Sequence, residues 1–308
     1  METYDIIVIG GGPAGLTAGI YAGRAKLKAL LFTGSPPAGQ LMLSEAIEDF
    51  PGFPEKLSGL DLLQKMSVQA EKFGIEILEK NIASVNFKKR PFAIKTAEGN
   101  EYSSKAIIIA TGASNNWLGL KNEQELIGHG ISACAVCDGF FFKNKIVAVV
   151  GGGDSAMENA ITLIKYAQKV FVIHRRDNFK AAKSLQEEIF NNPKIEIIWN
   201  TIITEIKGDN FLKGVVIKNV DTNEEKFLEL DGLFLSIGHR PATDIFKGQI
   251  ELNEDGSIKV KENTKTSVAG VFAAGDVCDS KYKQAITAAG WGAMALLDTD
   301  EWLRKLQK

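Results

Sequence analysis

Ile6-Ile7-Val8-Ile9-Gly10-Gly11-Gly12-Pro13-Ala14-Gly15 and Val147-Ala148-Val149-Val150-Gly151-Gly152-Gly153-Asp154-Ser155-Ala156 are two copies of one pattern. Each is a short apolar strand, then G-x-G-x-x-G/A, then residues suited to a helix. The first glycine (Gly10, Gly151) makes the tight turn from strand to helix. The second (Gly12, Gly153) lets the backbone come close to a pyrophosphate. The third small residue (Gly15, Ala156) lets the helix pack against the strand, so that the helix N-terminus faces the phosphates. One such stretch is a weak signal. Two, each directly after a strand and offset by roughly 140 residues, predict two domains of similar build.

The copies differ where the second strand ends. After the second copy comes Val170-Phe171-Val172-Ile173-His174-Arg175-Arg176, with Lys180 following. A site for NAD usually carries an acidic residue about 20 residues on, and a site for NADP an arginine. Arg175 and Arg176 therefore point to a 2′-phosphate, with a solvated basic turn as the plain alternative. After the first copy, Leu30-Leu31-Phe32-Thr33-Gly34 offers no carboxylate, and the ribose is expected to be held by other groups, such as backbone in the Gly34–Gln40 loop.

Further strand-and-turn units are Ala106-Ile107-Ile108-Ile109-Ala110-Thr111-Gly112-Ala113, Leu233-Phe234-Leu235-Ser236-Ile237-Gly238 and Gly270-Val271-Phe272-Ala273-Ala274-Gly275-Asp276. Asp276 is placed to accept from a sugar-alcohol hydroxyl, or to cap a helix. Units of the first site occur at both chain ends with the second site between them. The expected architecture is α/β: two Rossmann-like three-layer nucleotide-binding domains, the second (117–242) inserted into the first (1–116 and 243–308). Two linkers join them and permit rotation.

Lys and Arg total 36 against 38 Asp and Glu, a net charge of −2, which gives no electrostatic reason to expect nucleic acid or an anionic membrane. No apolar run approaches the roughly 20 residues that span a bilayer. The start, Met1-Glu2-Thr3-Tyr4-Asp5, is acidic where a secretory signal is basic. The chain reads as cytoplasmic. Its three cysteines are too few and odd in number for a disulfide framework.

Two of them nevertheless form Cys134-Ala135-Val136-Cys137, followed by Asp138 and Gly139. Zinc needs about four ligands; only Cys278, His129, His174 and His239 remain, and none makes a second pair. No metal is expected. A buried structural thiol pair is a second alternative. The third reading is a redox dithiol in which one thiolate attacks a partner disulfide. Asp138 is then either the proton donor and acceptor of the exchange or a turn residue. Cys278 reads as structural.

Taken in order, Gly10–Gly15, Gly39-Gln40-Leu41, Glu48-Asp49-Phe50-Pro51-Gly52, Ala110-Thr111-Gly112, Cys134–Gly139, Gly151–Ala156, His174-Arg175-Arg176, Gly275-Asp276 and Lys283-Gln284-Ala285-Ile286 carry a resemblance along the whole chain. The chain resembles the low-molecular-weight thioredoxin reductases. The resemblance implies FAD in the split domain and NADPH in the inserted one, with thioredoxin as partner and homodimers as the usual assembly. It implies that Cys137 faces the flavin, that Cys134 attacks the partner disulfide, and that Asp138 is the acid/base. It implies FAD contacts from Gly10, Gly12, Pro13, Ala14, Gly15, Gly39, Gln40, Leu41, Asp49, Ala110, Thr111, Gly112, Gly275, Asp276 and Lys283–Ile286, with backbone of Val85 near the adenine. For NADPH it implies Gly151, Gly153, Asp154, Ser155, His174, Arg175, Arg176, Lys180 and Ile237, and for thioredoxin Phe140, Phe141 and His129. Three positions depart from the family pattern: Asp49 where many relatives have Asn, Lys180 where Arg is usual, and His129 where some have Arg.

Related enzymes fit less well. Ferredoxin–NADP reductases of similar build lack the C-x-x-C. Peroxide-reductase flavoproteins carry an extra N-terminal dithiol domain. Glutathione and lipoamide reductases place their cysteines soon after the first glycine turn. Dithiol oxidases should lack the arginines. A redox-sensing flavoprotein without rapid turnover is the rival from another class.

Overall fold

The computed structural model describes residues 3–35, 39–44 and 46–306. The chain divides into two compact units, Met1–Ser114 with Arg240–Lys308, and Asn115–His239.

The first unit begins with β1 (Thr3–Ile9), α1 (Pro13–Arg24), β2 (Ala29–Phe32), α2 (Gly59–Lys72), β3 (Glu76–Leu78), β4 (Ile82–Asn86), β5 (Phe92–Thr96) and β6 (Glu101–Ile109). α1 starts on Pro13, which loses nothing by lacking an N–H in a first turn. α2 starts on a reciprocal cap, the Asp61 N–H donating to Ser58 Oγ at 3.1 Å and the Ser58 N–H to Asp61 Oδ2 at 3.3 Å. The chain then leaves through β7 (Ala113–Asn115).

The second unit contains β8 (Ile131–Ser132), α3 (Ala135–Asp138), β9 (Ile146–Val150), α4 (Asp154–Leu163), β10 (Lys169–Ile173), α5 (Lys183–Phe190), β11 (Ile195–Ile198), β12 (Thr201–Gly208), β13 (Leu212–Asn219), β14 (Glu225–Glu229) and β15 (Gly232–Leu235). The chain returns through β16 (His239–Pro241) and completes the first unit with β17 (Val271–Ala273) and α6 (Ala285–Leu306). β7 and β16 pair with each other as a two-stranded ribbon.

In the first unit the sheet runs β3-β2-β1-β6-β5-β4, and β17 also pairs β6. β1 lies parallel to β2 and β6, and β17 parallel to β6. Strand residues alternate faces, and both faces of β1 are buried, which is why it reads as a continuous apolar run. Ile6 and Val8 pack with Leu16 of α1, Leu62 of α2 and Leu296 of α6. Ile7 and Ile9 pack with Phe92 and Ile94 of β5 and with Phe246 and Ile258.

The second unit is a parallel sheet, β11-β10-β9-β15-β8, facing a separate antiparallel sheet, β12-β13-β14. Val147 and Val149 pack with Met157, Ala160 and Leu163 of α4, and Ala148 packs with Ile203, Leu212 and Val215. Helices, parallel sheet and antiparallel sheet make three layers. The fold class is the one expected, two nucleotide-binding units of α/β type. Among the described residues no helix is long and apolar enough to cross a membrane.

Gly10 and Gly12 separate folding from function. A Cβ at Gly10, which has φ +128°, would fall on the Ala110 carbonyl, while a Cβ at Gly12 would meet nothing within 4 Å. Gly10→Ala is expected to destabilise the protein by about 2–4 kcal/mol. Gly12→Ala, whose φ of −78° suits alanine, should stay within about 0.5 kcal/mol of the parent. Urea unfolding of the ligand-free proteins checks both.

Candidate active site

Three parallel strands of the first unit end side by side, in the register Ile9–Ile109 and Ile109–Ala273. Their exits are Gly10–Gly15, Ala110-Thr111-Gly112 and Gly275-Asp276. This is the crevice beyond the carboxyl ends of a doubly wound sheet, where such folds bind ligands. A Cβ at Gly15 would strike the Gly10 carbonyl, one at Gly292 of α6 the Ala14 carbonyl, and one at Gly275 would lie 2.9 Å from Ala14 Cβ. Small residues thus draw α1, α6 and the Gly275 turn together. The first turn of α1 has no capping side chain and no acidic residue, so its amides remain available to an anion.

Asp276 lies in this crevice inside a short 3-10 helix, Gly275–Val277, whose N-cap is Ala274. The helix-cap alternative for Asp276 is therefore set aside. Its Oδ1 is buried with no hydrogen-bond partner. Burial, and then the neighbouring Asp279, push its pKa up to about 6 against a smaller opposing pull from Lys283. A buried acceptor without a donor costs free energy, and a ligand hydroxyl would satisfy it. Asp279 shapes the adjoining segment: its carboxylate accepts from the N–H groups of Lys281 (2.9 Å), Tyr282 (2.9 Å) and Lys283 (3.1 Å). That turn leads through Lys283 and Gln284 into α6, which opens on Ala285 and Ile286.

The remaining first-unit positions are more varied. Gln40 and Leu41 open a short 3-10 helix, Gln40–Leu43, after Gly39, while residues 36–38 of the Gly34–Gln40 loop lie outside the described residues. The Thr111 hydroxyl donates to the Ala242 carbonyl at 2.8 Å. Asp49 is exposed in its loop. The Val85 carbonyl accepts from Gln249 Nε2 at 2.7 Å, so one of its two lone pairs is already used. Cys278 is buried and donates its S–H to the Gly275 carbonyl at 3.3 Å; burial pushes its thiol up to about 12. It is structural.

The second unit repeats the arrangement. A Cβ at Gly151 would strike the Ser236 carbonyl, and one at Gly153 would meet nothing within 4 Å. Gly153 is the N-cap of α4 and no side chain caps that helix. Ser155 is exposed in the first turn, and Ile237 follows Ser236 at the end of β15. The Asp154 carboxylate accepts the Ala182 N–H at 2.7 Å, and the Gly152 carbonyl accepts the Lys180 N–H at 2.7 Å. Asp154 thus buckles the loop bearing Lys180 to the glycine turn. Arg175 and Arg176 are exposed just past β10. His174 packs against Phe179 and Trp199, with ring centroids 5.4 Å and 6.1 Å away, and its Nε2 is buried without a partner. Burial first, and then the charges of Arg176 and Arg175, lower its pKa, against opposing hydrogen bonds at Asn178 and Gly151.

In the same unit Cys134 and Cys137 are joined by a disulfide, and Cys134 is the N-cap of α3. Among the described residues no cluster of three or more His, Cys, Asp or Glu is arranged to hold a metal. The Ser132 hydroxyl donates to Asp138 Oδ2 at 2.5 Å and accepts the Cys134 N–H at 3.0 Å. Asn159 of α4 accepts the Ala135 N–H at 3.2 Å and donates to Ser236 Oγ at 2.7 Å. Val136, Phe140 and Phe141 are exposed beside the pair, at 68%, 62% and 42%. His129 lies against Phe211, centroids 5.4 Å apart.

Ser132, Asn159 and Asp279 were not anticipated from sequence. Asn159 had a signal, a polar residue on the otherwise apolar inner face of α4. Asp279, heading Asp279-Ser280-Lys281, is a plausible turn residue in any sequence, and Ser132 had no signal beyond its nearness to Cys134.

Residues 4–292 match the family described as pyridine nucleotide-disulphide oxidoreductase. The chain belongs to that family. It is 50% identical over 307 residues to a thioredoxin reductase of Rickettsia prowazekii, covering 98% of this chain and 99% of the relative. It is 44% identical to one of Streptomyces coelicolor, covering 99% and 95%. Among solved structures, the thioredoxin reductase from Giardia duodenalis superposes with a TM-score of 0.94 at 43% identity, covering 99% of this chain and 100% of that one. The one from Streptococcus pyogenes superposes with a TM-score of 0.93 at 37% identity, covering 98% and 99%. In this pyridine nucleotide-disulphide oxidoreductase, Cys134–Cys137 is the disulfide among the described residues.

The raised pKa of Asp276 has a consequence for the ligand-free protein. A carboxyl whose folded pKa lies near 6 rather than 3.8 favours folding below about pH 3.8, and that contribution is lost as pH rises through 6. Asp276→Asn should remove the loss. Relative to the parent, the variant is expected to gain about 2.4 kcal/mol between pH 4 and pH 8, at 1.4 kcal/mol per unit of pKa difference. Urea midpoints at the two pH values measure the difference.

Proposed function

We propose that the chain is a thioredoxin-disulfide reductase that takes two electrons from NADPH and delivers them, by way of FAD and Cys134–Cys137, to the disulfide of thioredoxin. The observation that carries this reading is the disulfide that opens α3 inside a nucleotide-binding unit. The full-length similarity to thioredoxin reductases supports it.

The first-unit crevice fits FAD by two features, the buried Asp276 oxygen that lacks a donor and the open space over Gly12. Gly10–Gly15 and the first turn of α1 would hold the pyrophosphate, and Asp276 a hydroxyl of the sugar-alcohol chain. Gly39–Leu41, Ala110–Gly112 and Lys283–Ile286 would line the rest. When bound, the flavin supplies a two-electron relay between a hydride donor and a disulfide. In the second unit Gly151–Gly153 and Ser155 would face the NADPH pyrophosphate. Arg175 and Arg176 would grip the 2′-phosphate by bidentate hydrogen bonds, with Lys180 adding a point charge.

The chemistry at the dithiol follows from its neighbours. The Cys134 thiolate attacks one sulfur of thioredoxin, breaking that disulfide and forming a mixed one. The sulfur that leaves takes the proton held at Asp138. Asp138 then accepts the Cys137 proton, and the Cys137 thiolate attacks Cys134 Sγ. The second thioredoxin sulfur departs and is protonated in turn, which restores Cys134–Cys137 and releases a dithiol. Val136, Phe140 and Phe141 offer apolar surface for thioredoxin around this site, with His129 as a further contact.

The second unit rotates between states on the β7–β16 ribbon. The protein works in the cytoplasm, where thiols stay reduced. It assembles as a homodimer, supported by Ile286, Met294 and Leu297, which leave an apolar stripe of α6 exposed at helical spacing.

Cys137→Ser is expected to abolish thioredoxin-dependent NADPH oxidation while the purified protein keeps its flavin absorbance. Persistent thioredoxin reduction would remove the dithiol from the mechanism. Arg175→Ala combined with Arg176→Ala should raise the KM for NADPH more than about tenfold and leave that for NADH nearly unchanged. Steady-state kinetics with both coenzymes decide it, and equal effects would refute 2′-phosphate recognition.

A further inference from the structure

Ser132 is the last residue of β8 and is buried. Its strand is held in the parallel sheet, where Ser132 is registered with Phe234 of β15. A serine hydroxyl has one proton and two lone pairs. Here the proton goes to Asp138 Oδ2 at 2.5 Å, and one lone pair receives the Cys134 N–H at 3.0 Å. One hydroxyl therefore binds both ends of the Cys134–Asp138 segment to the sheet.

The segment itself is short. α3 spans four residues, and the Asp138 N–H donates to the Cys134 carbonyl at 3.1 Å. In the oxidised state the disulfide staples this turn. When the disulfide opens, the staple is gone, and a four-residue helix has little stability of its own. The Ser132 bonds do not involve either sulfur, so opening the disulfide does not itself remove them. Asn159 restrains the same turn from α4 through the Ala135 N–H.

We propose that Ser132 is a positioning residue that keeps the Asp138 carboxyl in place for proton transfer while the dithiol opens and closes. The proposal rests on the reading of Asp138 as the acid/base. No bond to Ser132 forms or breaks in the cycle; its hydroxyl donates to the carboxylate and does not carry the transferred proton.

A double-mutant cycle on the holoenzyme tests it, with NADPH and thioredoxin as substrates. Asp138→Asn is expected to lower kcat about 100-fold, within the range for loss of a general acid/base. Ser132→Ala should lower kcat about tenfold, with the KM for NADPH and the bound flavin unchanged, because misplacing a group costs rate without touching the nucleotide site. If Ser132 acts through Asp138, Ser132→Ala adds nothing in the Asp138→Asn background. A further tenfold loss in that background would overturn the proposal, as would an unchanged kcat for Ser132→Ala or a rise in the KM for NADPH that matches the fall in kcat. Full activity of Asp138→Asn would instead refute the acid/base reading itself, and the proposal with it.

Discussion

In both units a main-chain carbonyl sits where a side chain would begin: Ala110 O against Gly10, and Ser236 O against Gly151. This close approach of a strand exit to the neighbouring glycine turn sets the position of everything beyond it. It fixes the start of α1 and α4, and with them the direction in which their uncapped amides point. It also brings the exits of β6 and β15 to the floor of each crevice. No residue other than glycine fits, since the backbone at Gly10 and Gly151 has φ of +128° and +152° as well as no room.

The two crevices share this geometry and differ in charge. The first ends in a buried carboxylate whose free oxygen calls for a hydroxyl donor. The second ends in two exposed arginines and a lysine on a loop buckled down by Asp154. A neutral sugar-alcohol chain suits one and a phosphomonoester the other. On the proposed assignment one backbone plan would serve two dinucleotides, with side chains at the strand exits making the distinction. The disulfide is built into the unit that carries the arginines, and Asn159 links its helix to Ser236 at the edge of that same nucleotide crevice.

Much of this was legible in sequence because the decisive features are local. Gly10–Gly15, Gly151–Ala156, Arg175-Arg176 and Cys134–Cys137 are each short runs whose chemistry follows from spacing. The parallel cores were legible for the same reason, since strands buried on both faces read as unbroken apolar runs. What was hidden depends on contacts between distant residues. Nothing in the run Thr201–Glu229 announced a separate antiparallel sheet on the reverse of the parallel one. Asp276 also suited a helix cap in sequence, until the fold placed it inside a short helix capped by Ala274. Ser132 is an ordinary strand-end serine in sequence, and only the fold places its hydroxyl between Cys134 and Asp138.

The ribbon that joins the units also closes the inserted one. The Asn116 N–H donates to the Gly238 carbonyl at 3.0 Å, and Asn116 Nδ2 to the Ile237 carbonyl at 3.3 Å. The two ends of the inserted unit are therefore neighbours, and its backbone leaves almost where it entered. For the host unit the whole insertion is topologically no more than a surface loop, whose closure adds little entropy cost however long the loop grows. Seen this way, the inserted unit is a module with a core of its own, drawn from none of the host's residues, spliced into the chain where β7 and β16 run together.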